Sequence, residues 1–322
     1  MAAPASIRDS IPNLRKQDIL RLSHLTSKDV LTLFKTARAM KAAPTEFSES
    51  LKGRSIAMLF EKPSLRTRVS FEVGLHRLGA QAVYLDHSET RLGERETVAD
   101  YGHNLERWVD AIVARVYKQT VLEEMAAASK VPVVNALSDL FHPCQALADF
   151  MTLQEKRTEL KGLRLAYVGD GNNVCHSLME LGAILGAHVT ALTPAGRDPT
   201  ASVLEECRAI GAKTGSQLKV THDLADIAGH DAVYTDVWVS MGQGSETDRI
   251  RKLFKPFQVN AALMKKAAAG TKQTPLFMHC LPAHRGSEVT DEVIDSPASI
   301  VFDQAENRMH AQMALLFHML RD

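Results

Sequence analysis

A chain of 322 residues with 45% hydrophobic content has enough material for two α/β domains, each with its own core. Lys+Arg and Asp+Glu both total 38, so no global field favours nucleic acid or an anionic membrane, and any anion site must be local. The four cysteines, Cys144, Cys175, Cys207 and Cys280, form no CxxC pair, which argues against a disulfide framework or a structural zinc; no apolar run is long enough to cross a bilayer.

From the N-terminus, short β-branched runs alternate with helical patterns: RSIAMLF (54–60), AQAVYLD (80–86), DAIVARVY (110–117) and VPVVNA (131–136). This alternation predicts parallel strands joined by crossover helices. The first run leads into FEKPSLRTR, Phe60 to Arg68, where Leu65, Val69 and Val73 recur at four-residue intervals and predict a helix beginning at Ser64. Its first turn carries Ser64, Arg66 and Thr67 at an end that offers backbone N–H groups and a positive partial charge, as an oxyanion site requires; an ordinary N-cap with solvated arginines is the competing reading. Arg115 interrupts the third run near its C-terminal end, where open α/β sheets place their ligand crevices. His142 and Gln145, in HPCQ, put an imidazole and an amide at the same end of the sheet and open a helix predicted from Pro143 to about Arg157.

After the polar stretch QEKRTELKG the alternation resumes with LRLAYVGD (163–170), AHVTALTP (187–194), DAVYTDVW (231–238) and PLFMHCLP (275–282), predicting a second open sheet. GDGNN joins a strand to a helix without the GxGxxG spacing, which disfavours a nicotinamide cofactor. Asp236 ends a strand and WVSMGQGSE follows as a polar, glycine-bearing loop. An acid beside Asn173 and Ser240 suits a zwitterionic amino acid, although such residues are also ordinary strand-end punctuation. Cys280 lies at the end of the last strand, and Arg308, on the helical segment AENRMHAQMALLFHML, has Glu306 and Asp303 as nearby salt-bridge partners. The expected fold class is α/β, two domains, each an open parallel sheet flanked by helices. They comprise residues 1–150, with a C-terminal helix 305–322 packing back on them, and residues 151–304.

Taken in order, FEKPSLRTR, ARVY, HPCQ, GDGNN, DVWVSMGQ, HCLPA and FDQAENR closely resemble the ornithine branch of the aspartate/ornithine carbamoyltransferase family, from roughly residue 18 to the end. DVWVSMG together with HCLP points to the ornithine members, since the aspartate members carry HPLPR where this chain has HCLPA. The resemblance implies that carbamoyl phosphate is bound by Ser64, the backbone at Leu65, Arg66, Thr67 and Arg115, with Arg91, His142, Gln145, Cys280, Leu281 and Arg308 completing the donor pocket. It places L-ornithine against Asn173, Asp236, Ser240 and Met241, and makes Arg66, Arg115, His142, Asp236, Cys280 and Arg308 the catalytic set. Fixed cations would then stabilise the charge that grows on the carbonyl oxygen and the leaving phosphate.

Three positions depart from the family pattern. Leu65 stands where the STRTR form has threonine, so a contact through the backbone N–H survives and a hydroxyl contact does not. Arg91 stands where ornithine members commonly have glutamine, in a loop expected to reach a neighbouring subunit, and Gly244 replaces a glutamate. The resemblance further implies transfer to the δ-amine, giving L-citrulline and phosphate in arginine metabolism, with no cofactor and no metal. It implies a homotrimer or a multiple of trimers and no nucleic-acid or membrane partner. A carbamoyltransferase for a related amine, putrescine or N-acetylornithine, and a non-catalytic carbamoyl-phosphate-binding protein are the competing readings. The absent presequence points to the cytoplasm, with the mitochondrial matrix after presequence removal as the alternative.

Overall fold

The computed structural model describes residues 11, 13–238 and 247–321, Thr247 by its backbone alone. The chain divides into two units, one of residues 1–151 with 306–322 and the other of residues 152–305.

The first unit runs α1 (Ser27–Ala42), β1 (Ser55–Phe60), α2 (Leu65–Arg77), β2 (Gln81–Asp86), α3 (Val98–Leu105), β3 (Ala111–Arg115), α4 (Gln119–Ala128), β4 (Val133–Leu137) and the start of α5 (Pro143–Arg157). All four strands are parallel, in the order β2-β1-β3-β4. β3 is buried at every position and β1 at all but its first, the pattern of strands covered on both faces, whereas the edge strand β2 is half exposed. Because β1 leads outward to β2 on one side and the chain then returns to β3 on the other, strand order reverses between β1 and β3. The segments leaving their C-terminal ends open a crevice there.

The second unit runs β5 (Arg164–Val168), α6 (Asn173–Leu185), β6 (His188–Leu192), α7 (Ala201–Thr214), β7 (Leu218–Thr221), β8 (Ala232–Thr235), α8 (Thr247–Phe254), α9 (Ala261–Ala267), β9 (Leu276–His279) and α10 (Asp291–Ile294). Its parallel sheet has the order β7-β6-β5-β8-β9, so the reversal falls between β5 and β8. The last helix, α11 (Val301–Leu320), begins four residues before the segment expected from sequence. No helix among the described residues is long and apolar enough to cross a membrane.

One detail differs from the sequence reading. β7 was not anticipated: four residues at a sheet edge, with only Leu218 buried, leave too short and too polar a pattern to register. The division between the units falls inside α5, and QEKRTELKG begins within that same helix. The apolar stripe of α2 locates the helix but not its buried side. Leu65, Val69 and Val73 are 74%, 45% and 37% exposed, while Thr67, Phe71, Gly74 and Leu75 face inward. At Gly74 the approach is close, since an added methyl carbon would lie 2.9 Å from the Met313 side chain on α11.

Candidate active site

In the first unit the phosphate-type donors gather at the β1/β3 reversal. Ser64 caps α2, its hydroxyl accepting from the Thr67 N–H at 3.3 Å, so the helix starts one residue after the predicted position, at the end of the segment that leaves β1. Thr67 is buried and acts as a hub. Its Oγ1 accepts from the Arg308 guanidinium at 3.0 Å and from Arg115 at 3.4 Å, which leaves the threonine proton to offer a ligand. Arg308 also donates to Gln145 Oε1 at 2.7 Å, and the Gln145 amide nitrogen donates to Asp149 at 2.8 Å. Gln145 therefore holds Arg308 in place with one end and is anchored by the other. Of the two acids near Arg308 in sequence, Glu306 pairs with Lys41 at 2.9 Å and Asp303 with Lys156 at 3.1 Å.

Arg115 and Arg308 are 7% and 3% exposed. Burial, with the charges of Arg308, Arg115 and Lys62 beside it, holds the His142 imidazole well below its usual range, so it is neutral at physiological pH and acts as a hydrogen-bonding group rather than a cation. Cys144, next in HPCQ, is pushed up to about 12 by burial and is an inert thiol. Arg66 is half-buried on the first turn, and Leu65 points its side chain to solvent, which limits it to a backbone role. Arg91 is exposed and lies over the Tyr117 ring at 4.5 Å.

Lys62, in the same FEKPS segment, was not singled out from sequence. Its ammonium lies 4.5 Å from the Tyr117 ring centroid, and burial together with the Arg115 charge lowers its pKa to about 8. Only its protonated form adds to the cationic field, so anion affinity is expected to be greatest below pH 8. Above that, it should fall by up to about tenfold per pH unit. Titrating the binding of a phosphonate analogue to wild type and to Lys62→Met checks this. The variant should show only the ligand's own pH dependence, and matching profiles would remove Lys62 from the site.

In the second unit the β5/β8 reversal gathers an acidic clamp. Asp236 is 7% exposed; its Oδ1 accepts from the Cys280 thiol at 3.0 Å and from the Val237 N–H at 2.8 Å, and its Oδ2 accepts from Asn172 Nδ2 at 2.8 Å. Asn172, which the sequence reading did not single out, is joined to Asp236. Its Oδ1 accepts from the Val174 and Cys175 amides, capping α6, and from the Tyr167 hydroxyl at 3.1 Å. Asn173 is the first residue of α6, at the mouth of the same turn. The turn is fixed from outside, because Gly171 N–H donates to the Arg197 carbonyl, and a methyl group at Gly171 would sit 2.2 Å from Pro199 N. Only glycine permits that approach.

Cys280 and Leu281 leave β9 in a turn held by His279. The Leu281 N–H donates to His279 Nδ1 at 2.8 Å, and His279 Nε2 lies 3.3 Å from the buried Glu288 carboxylate. Leu281 adopts φ +58°, a left-handed conformation a branched residue keeps only when its surroundings impose it. Donor atoms of Asp236, His279 and Cys280 all lie within 4.8 Å of one another, a set of types that can hold a soft divalent cation. Nδ1 already accepts from Leu281 N–H, whereas Nε2 only lies beside the Glu288 carboxylate. Ser240 and Met241 lie outside the described residues.

Two family models match the chain: "Aspartate/ornithine carbamoyltransferase, carbamoyl-P binding domain" over residues 17–155 and "Aspartate/ornithine carbamoyltransferase, Asp/Orn binding domain" over residues 161–319. An ornithine carbamoyltransferase of Shewanella oneidensis is 52% identical over 297 residues, 92% of this chain and 97% of that protein. An anabolic ornithine carbamoyltransferase of Pyrococcus furiosus is 48% identical over 309 residues, covering 95% of this chain and 97% of the relative. The solved ornithine carbamoyltransferase structure from P. furiosus superposes with a TM-score of 0.91 at 47% identity, over 96% of this chain and 99% of that one.

Proposed function

The chain belongs to the aspartate/ornithine carbamoyltransferase family, and from that premise we propose a division of labour in which the first unit binds carbamoyl phosphate and the second binds the acceptor. The chain is an ornithine carbamoyltransferase: it moves the carbamoyl group of carbamoyl phosphate to the δ-amine of L-ornithine. The observation that carries the division is the pairing of chemistries at the two strand reversals, guanidiniums converging on Thr67 in one unit and a carboxylate joined to a thiol and an amide in the other.

Attack of the neutral amine on the carbonyl carbon forms a C–N bond and places negative charge on the carbonyl oxygen. The C–O bond to phosphate then breaks, and the leaving phosphate, whose basicity rises as that bond breaks, takes the proton the amine sheds. Arg115, Arg308, Arg66 and the first-turn amides of α2 meet the phosphate charge with dipoles and cations already in place, so little reorganisation remains for the transition state. His142, neutral, polarises the carbonyl without competing as an acid. Asp236 receives the ornithine ammonium and fixes Cys280, which lies beside the reacting amine. Ser240, Met241 and Asn173 complete the acceptor side, and Arg91 extends the donor side.

The products are L-citrulline and phosphate, and the anabolic name of the P. furiosus relative supports a biosynthetic direction. The exposed stripe of Leu65, Val69 and Val73 supports association of copies into a homotrimer, which a sedimenting species of single-chain mass would refute. Four free cysteines support a reducing compartment, the cytoplasm first, which cell fractionation checks.

The test is steady-state phosphate release from carbamoyl phosphate with ornithine, N-acetylornithine, putrescine and aspartate compared as acceptors. Ornithine is expected to dominate in kcat/KM. Preference for another amine would move the acceptor and keep the donor, and analogue binding without transfer to any amine would make the chain a binding protein.

A further inference from the structure

Glu61 is an odd residue to find behind a cationic anion site. It is 2% exposed, one residue before Lys62 and three before Ser64, and its charge opposes the binding that its neighbours promote. Its two carboxylate oxygens are each used. Oε1 accepts from the Leu92 N–H at 3.0 Å and Oε2 from the Tyr117 N–H at 2.7 Å, while its own N–H donates to the Arg115 carbonyl at 2.9 Å. One side chain thus clamps two segments that share no secondary structure, the loop after β2 and the chain leaving β3. Each carries a cation: Arg91 precedes Leu92, and Arg115 lies two residues before Tyr117. The clamped parts also touch directly, because Tyr117 lies under both Arg91 and Lys62 at 4.5 Å. Leu92 completes the attachment by packing its side chain into the core cluster of Leu59, Val98, Ile112 and Val116.

We propose that Glu61 is a positioning residue for carbamoyl phosphate, a buried carboxylate that fixes the Arg91 loop and the Arg115–Tyr117 segment in one register through the Leu92 and Tyr117 amides. The inference rests on the reading of the first unit as the carbamoyl-phosphate site. It has a sign that distinguishes it from charge alone. Coulomb's law says that deleting a negative charge beside Lys62 and Arg115 strengthens anion binding. Loss of the clamp says the opposite, because a glutamine has one acceptor oxygen for two N–H donors and turns its NH₂ toward one of them.

The experiment is steady-state kinetics on the full chain with both substrates varied, together with amide hydrogen exchange, for wild type, Glu61→Gln and Glu61→Asp. Both variants are expected to raise KM for carbamoyl phosphate by roughly tenfold with KM for ornithine unchanged, and to speed exchange at Leu92 and Tyr117. Aspartate keeps the charge and withdraws the carboxylate by one methylene, so it tests the clamp without an electrostatic change and serves if the glutamine variant fails to fold. An unchanged or lowered KM for carbamoyl phosphate in either folded variant overturns the proposal, as does a parallel rise in both KM values. A wild-type chain that transfers to no amine and binds no carbamoyl-phosphate analogue would instead sink the functional reading underneath it.

Discussion

Replacing Arg308 by alanine is expected to lower kcat/KM for carbamoyl phosphate by about a thousandfold, the order seen when a preorganised donor to a developing oxyanion is lost. The guanidinium does two things at once. It supplies charge, and it satisfies Gln145 Oε1 and Thr67 Oγ1, both on residues at most 1% exposed. Alanine removes the cation, takes away the Gln145 Oε1 bond and leaves Thr67 Oγ1 only the longer Arg115 contact at 3.4 Å, whereas lysine restores the charge without the fork that reaches two partners at once, and should recover only part of the loss. Steady-state kinetics separate the contributions: ornithine binding, measured at equilibrium, should be unaffected because the second unit's contacts are intact. A loss of less than tenfold in the alanine variant would mean that Arg308 only props up Gln145.

The second large effect is at Asp236. An asparagine there keeps the shape but replaces one carboxylate oxygen by a donor. That donor would face either the Asn172 amide, at 2.8 Å, or the Val237 N–H and the Cys280 thiol, at 2.8 and 3.0 Å. The clamp cannot be satisfied in either orientation, and the ornithine ammonium loses its counter-charge. The expected result is about a hundredfold fall in kcat/KM for ornithine, about 2.7 kcal/mol, with carbamoyl-phosphate analogue binding retained. Unchanged ornithine affinity and turnover would refute the anchoring role. The comparison with Arg308→Ala is informative in itself, since each variant should damage one substrate and spare the other.

What the sequence made legible was the sites' position along the chain. Proline and glycine punctuate the ends of the β-branched runs, and in parallel sheets those ends are where ligands bind, so Ser64 to Thr67, Arg115, His142, Asp236 and Cys280 stand out as candidates by punctuation, and the family resemblance supplies their roles. What was hidden depends on pairs far apart in sequence. Asn172 and Asn173 are indistinguishable as letters; the difference is that one side chain caps α6 while bonding to a residue 64 positions away. Arg308 had acids nearby in sequence and bonds instead to an amide 163 residues earlier and a hydroxyl 241 residues earlier. Glu61 carries no sequence mark that the Leu92 and Tyr117 amides converge on it. The α2 stripe placed the helix and was silent on its buried side: a helix with two apolar faces gives one period but does not say which face the core takes.

The order in which the ribosome delivers these parts has its own meaning. Residues 306–322 belong with the first unit but are made after the whole of the second, so the hub threonine waits through 241 positions for the guanidinium that completes it. A nascent chain that has passed the second unit but not yet reached Arg308 carries Thr67 and Gln145 without the guanidinium that joins them. Completion of the donor hub therefore requires that the acceptor unit has already been synthesised.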